Sequence, residues 1–82
     1  MEVEFRINAL ADAQTVPRVL EHFALRDLIP SSLTVELDGE ELHLVIKHPD
    51  LDINLAGLIA EKVRVGVLIR SVHLHAIDAA GA

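Results

Sequence analysis

The sequence contains no cysteine. Disulfides, thiolate metal sites and any module built on Cys-x-x-Cys are therefore excluded. Tryptophan and tyrosine are also missing, and Phe5 and Phe23 are the two aromatic residues. A sheet that reads RNA presents aromatic rings on which bases stack, and none is placed to do so here. Cations are scarce: 7 Lys and Arg stand against 13 Asp and Glu, a formal net charge of −6 with the histidines neutral. That is the wrong sign for the counterion displacement that drives nucleic-acid binding. No basic amphipathic stretch suits a membrane surface, and no apolar run approaches the ~20 residues of a membrane span. The loop after the first alternating stretch, "NALADAQT", has no glycine, so the glycine-rich anion loop of an acylphosphatase-like site is missing. The opening "MEVEFRINAL" is acidic and alternating, unlike a signal peptide with its basic start and apolar run. A cytoplasmic location is the expectation.

What is present is aliphatic. Half of the 82 residues are apolar (51%), and a chain this short buries only about 60–65% of the surface its unfolded form exposes. A core of Leu, Ile, Val and Ala with apolar surface left over for a partner is expected. Val3, Phe5 and Ile7 alternate with Glu2, Glu4, Arg6 and Asn8, the pattern of a half-buried strand. The period then changes: Val16, Val19, Leu20 and Phe23 line one face of a helix over residues 15–27, with Thr15 as N-cap and Pro17 in the first turn. Pro30 stops it. Leu33, Val35 and Leu37, then Leu42, Leu44 and Ile46, alternate around Asp38-Gly39, which predicts a hairpin. Pro49-Asp50 is read as opening a second helix, with Leu51, Leu55, Leu58, Ile59 and Val63 as its buried stripe and Gly66 at its end. Residues 67–77 form the last strand, and residues 79–82, the end of "DAAGA", are expected to fray.

The order βαββαβ predicts an α+β fold: a four-stranded antiparallel sheet with both helices on one face, the ferredoxin-like split βαβ arrangement. The spatial strand order should be fourth, first, third, second.

The stretch "TVPRVLEHFALRDLIPSSLTVEL" follows an alternating strand and a short loop, and it carries a helix of the type xxRVLxxxxxRG before the next strand. In this the chain resembles the ACT domain family, most closely the short regulatory (small) subunit of acetolactate synthase. The second half, "LDINLAGLIAEKVRVGVLIRSVHL", is similar to that family's second helix and closing strand. The resemblance implies one ACT-like domain over residues 1–78. It also implies a non-catalytic subunit without a cofactor of its own, which binds and activates a larger thiamine-diphosphate-dependent catalytic subunit in branched-chain amino-acid biosynthesis. A homodimer joined through the edge of the second strand is expected. The alternative is a free-standing amino-acid sensor of ACT type.

Ligand-binding members of that family commonly carry Asp-x-Pro-Gly at the first strand-to-helix turn, where the glycine lets backbone amides approach a carboxylate. The candidate ligand contacts here are accordingly Asn8, Thr15, Pro17 and Arg18. Pro17 matches the proline, but Arg18 occupies the glycine place, which favours a structural helix start over an amino-acid site. Asp27 likewise replaces the glycine usual before the second strand.

Five histidines remain. His73 and His75 share one face of the last strand, with Glu4 and Arg6 beside them and His43 on the third. Two histidines and a carboxylate suit zinc, but Arg6 places a cation in the same patch and no ligand count is fixed, so no metal site is assigned. That face, with Thr34, Glu36 and Val45 also projecting from it, is expected to meet a partner. His48 is read as a loop residue and His22 as an exposed helix residue. Asp50 and Asp52 are read as a solvated helix N-terminus rather than a catalytic pair. Arg70 is placed at the rim of the last strand's apolar side, with pairing to a carboxylate as the alternative.

Overall fold

The computed structural model describes residues 2–77. Along the chain run β1 (Glu2–Leu10), α1 (Thr15–Ala24), β2 (Ser32–Asp38), β3 (Glu41–His48), α2 (Ile53–Arg64) and β4 (Ile69–Ile77). The strands form one antiparallel sheet in the order β2-β3-β1-β4, the arrangement expected from the sequence. The tail over residues 79–82 lies outside the described residues. No helix among those described is long and apolar enough to cross a membrane.

Strand alternation sorts the residues between two faces. Val3, Phe5, Ile7 and Ala9 of the central β1 point to the helices, opposite His48, Ile46, Leu44 and Leu42 of β3. These side chains, together with Val19 and Phe23 of α1 and Ala56, Ile59, Ala60 and Val63 of α2, form the core, in which all but the partly buried Leu42 are buried. Phe5 and Phe23 meet edge to face at 5.1 Å, so the two aromatic residues of the chain share one contact between sheet and helix. The buried stripe of α2 differs from the sequence expectation. Leu58 is half exposed, whereas Ala56 and Ala60 are buried; small side chains let this helix lie close on the sheet, and that fixes its rotation.

Local chemistry sets the boundaries of the elements. Thr15 is the first residue of α1 rather than its cap. Its buried hydroxyl donates to the Leu10 carbonyl at 2.7 Å, which ties the helix start to the end of β1. Asp12 holds the turn by accepting the Gln14 amide at 2.8 Å. At the other end α1 stops at Ala24, three residues short of the expected 27. The amide of Asp27 bonds to Ala24 O and that of Leu28 to Phe23 O, both at 3.0 Å, which is a Schellman closure. Asp27 takes φ +57° there, the left-handed conformation for which glycine is the usual choice. In the hairpin Gly39 alone has positive φ, at +62°, while Asp38 pairs with Glu41; the two-residue loop is thus Gly39-Glu40, with glycine first. The second helix begins at Ile53, later than Pro49-Asp50 suggests, because Asp52 is its N-cap and accepts the Leu55 amide at 3.1 Å.

Candidate functional site

Two surfaces carry side chains beyond what the core requires: the helix-free face of the sheet and a cleft beside α1.

The four residues of the first turn divide between these surfaces. Thr15 is spent on the Leu10 carbonyl, and Pro17 is exposed on α1. Arg18 is exposed at the mouth of the cleft, and Thr15 also lines it. Asn8 points to the opposite side of the sheet. There its amide donates to Ser71 Oγ at 3.0 Å, and its carbonyl lies 2.5 Å from His43 Nδ1. The sheet therefore separates Asn8 from Thr15, Pro17 and Arg18.

Ser71, Asn8 and His43 form a polar row across β4, β1 and β3. Because the Asn8 carbonyl accepts, His43 Nδ1 is the donor of that contact. Asp38 Oδ2 lies 3.9 Å from His43 Nε2 at the far end. The rest of the face is as the alternation predicts: Glu4 stands between Lys47 and His75, Arg6 between Val45 and His73, and Glu36 beside His43. Glu4 is 8% exposed, and its carboxylate accepts from Arg6 Nε at 3.0 Å. A shallow groove runs over Arg6, Asn8, His43 and His73. His43 pairs with Asn8, four residues along the strands from the Glu4–His75 pair. Among the described residues no group of three or more histidines and carboxylates could hold a metal ion.

Arg70 departs from expectation. Ser71 pairs with Asn8 and Ile69 with Ala9, so Arg70 is the extra residue of a β-bulge, and a bulge re-aims its side chain. Arg70 Nε lies 3.2 Å from Glu41 Oε1, crossing over β1 on the helix-free face instead of lying at the apolar rim.

His48 is not a loop residue. It closes β3, is 3% exposed, and stacks on Phe23 with ring centroids 5.1 Å apart and planes 14° from parallel. Its Nε2 has no hydrogen-bond partner among the described residues, and burial lowers its pKa. The alternation Leu42, Leu44, Ile46, carried one step further, marks it as core-facing.

The cleft lies between α1 and the turn from α2 into β4; its enclosed part is small, about 50 Å³, and opens to solvent. Buried Val19 and Val63 lie beneath it. Gly66 stands at its side: a Cβ there would meet Ile69 Cγ1 and the Val63 carbonyl at 3.2 Å, so the turn closes tightly only without a side chain. His22, expected to be exposed, is half buried against this cleft.

The sheet order and the two helices packed on one face define a small ferredoxin-like α+β domain. The family model for the ACT-like domain matches residues 1–81, and the chain belongs to that family. The ACT domain from GTP pyrophosphokinase of Chlorobium tepidum, as a crystal structure, is similar with a TM-score of 0.79 at 8% identity, covering 92% of this chain and 97% of that one. Its solution NMR structure gives 0.78 at 8% identity, covering 95% and 89%. The C-terminal domain of the MgtC protein from Mycobacterium tuberculosis gives 0.72 at 13% identity, covering 96% and 89%. Identities this low establish a shared fold alone. No curated protein sequence is significantly similar to this chain.

Proposed function

We propose that this chain is a non-catalytic regulatory module that works through protein contacts. It pairs with a second copy along β2 and docks by its helix-free face on a larger catalytic chain. The observation that carries this reading is the uncovered flank of β2. Leu33, Val35 and Leu37 face the helix layer, yet they are 39%, 40% and 69% exposed, because α2 lies over β4 and β1 and leaves β2 bare. An edge strand with apolar side chains on one flank and unpaired backbone groups on its outer side is a template for another strand. A second copy joined there would continue the sheet and cover the leucines. The solved structures with this fold are described as domains of other proteins, which suits a module that acts on a larger partner.

The partner named by the sequence resemblance is the catalytic subunit of acetolactate synthase, and the process served would then be branched-chain amino-acid biosynthesis. The mixed face of Arg6, His43, His73 and His75 suits such a contact, since charged rims orient a partner while semi-polar groups bury. Binding of the purified chain to that catalytic subunit from the same organism tests the assignment. The double variant His73→Glu, His75→Glu should lose binding with its thermal melt unchanged. If it binds normally while Lys62→Glu, on the helix layer, abolishes binding, the faces are assigned wrongly.

A further inference from the structure

Arg18 and His22 stand one helical turn apart on α1 at the rim of the cleft. Among the described residues neither side chain has an ionic or hydrogen-bonded partner; the contact between His22 and the Arg26 side chain is made by the His22 backbone carbonyl, which accepts. No carboxylate lines the cleft, although acidic residues outnumber basic ones 13 to 7 in the chain. Below the two donors the surface is aliphatic: Val19 and Val63 at the floor, Leu68 at the wall, and Val67, 84% exposed, at the mouth. A pocket with an apolar floor and convergent donors on one rim selects an amphiphilic anion.

We propose that this cleft binds a small aliphatic monocarboxylate. The guanidinium fork of Arg18 pairs with the carboxylate, and a ring N–H of His22 supplies a further donor. The aliphatic chain lies on Val19 and Val63. At ~10–15 Å³ for each water-sized group, the enclosed part of the cleft takes on the order of three to five heavy atoms, which suits a short branched chain with its carboxylate at the mouth. An α-amino acid fits worse than the corresponding plain acid. Its ammonium would sit beside the like charge of Arg18 with no lining carboxylate to meet it. The Thr15 hydroxyl, also in the lining, already donates to Leu10. The site lies within one chain, so it depends neither on self-association nor on the catalytic partner.

The test is an amide proton–nitrogen correlation titration of the full chain with isovalerate, with valine and 3-methylbutan-1-ol as comparators. Isovalerate should shift the amides of Val19, Gly66 and Ile69 saturably at millimolar concentration. Valine and the alcohol should bind at least about tenfold more weakly. Arg18 is exposed, and His22 is half buried with no side-chain partner among the described residues, so the double variant Arg18→Gln, His22→Gln should keep the fold, checked by its thermal melt, and weaken isovalerate by at least about tenfold. Valine binding as tightly as isovalerate overturns the proposal. So do shifts centred on the helix-free face, binding undiminished in the double variant, or no saturable shift at all.

Discussion

His48 buries an imidazole against Phe23 and Phe5, and its Nε2 has no partner among the described residues. Phenylalanine at this position would keep the flat ring on Phe23 and remove the unmet polar atom. Such an atom costs ~1–3 kcal/mol when buried, so His48→Phe should gain about 1 kcal/mol at neutral pH after some repacking, or ~4–8 °C in Tm for a domain of this size. The response to acid is the sharper readout. Burial lowers the pKa of His48 from the usual 6.5, so the unfolded chain takes up a proton at a higher pH than the native protein does. Over that interval the unfolded state binds more protons, and stability rises with pH. The contribution is whole above about 6.5 and is lost as pH falls from there through the lowered native value. Urea unfolding of both proteins at several pH values between about 5 and 8 should show a steeper acid loss in the natural protein than in His48→Phe. Equal slopes would refute the reasoning even if the variant were more stable, because a buried neutral imidazole must carry that difference.

Asp27→Gly should stabilise the domain: the left-handed conformation costs a residue with a side chain ~1–2 kcal/mol, glycine's unfolded freedom takes back ~0.5–1, and a gain of ~0.5–1 kcal/mol remains for urea unfolding to detect. Thr15→Val keeps the buried volume but loses the 2.7 Å bond to the Leu10 carbonyl, and should cost ~1–2 kcal/mol in the same assay. Leu37→Lys alters a side chain already 69% exposed. It should leave the melt of the dilute chain within ~0.5 kcal/mol while weakening self-association measured by size-exclusion chromatography.

The strands were legible because each alternates over several residues, and the hairpin because Gly39 follows Asp38 between two such runs. What escaped sequence reading has physical causes. Pro49 directly after His48 suggested a loop, but a strand can run up to the residue before a proline, and the apolar alternation did continue. A hydrophobic stripe ranks leucine above alanine and so includes Leu58; close approach to the sheet selects Ala56 and Ala60 instead. A single bulge in β4 moved Arg70 from one face to the other, and nothing in the local pattern marks it. The split of Asn8 from Thr15 and Arg18 was readable in the alternation of β1, which sends Asn8 with Glu4 and Arg6 to the helix-free face. The cleft was not readable: it joins Arg18 and His22 to residues 63–69, and that meeting depends on how α1 and α2 lie beside one another.

Sedimentation equilibrium of the purified chain at micromolar concentration tests the central claim most directly. If β2 is covered by a second copy, the mass found is twice the 9.0 kDa of the single chain, and it falls toward 9.0 kDa in Leu37→Lys. A single species of 9.0 kDa at every concentration would contradict the account, because the bare flank of β2 would then be left without the partner from which the regulatory reading is drawn.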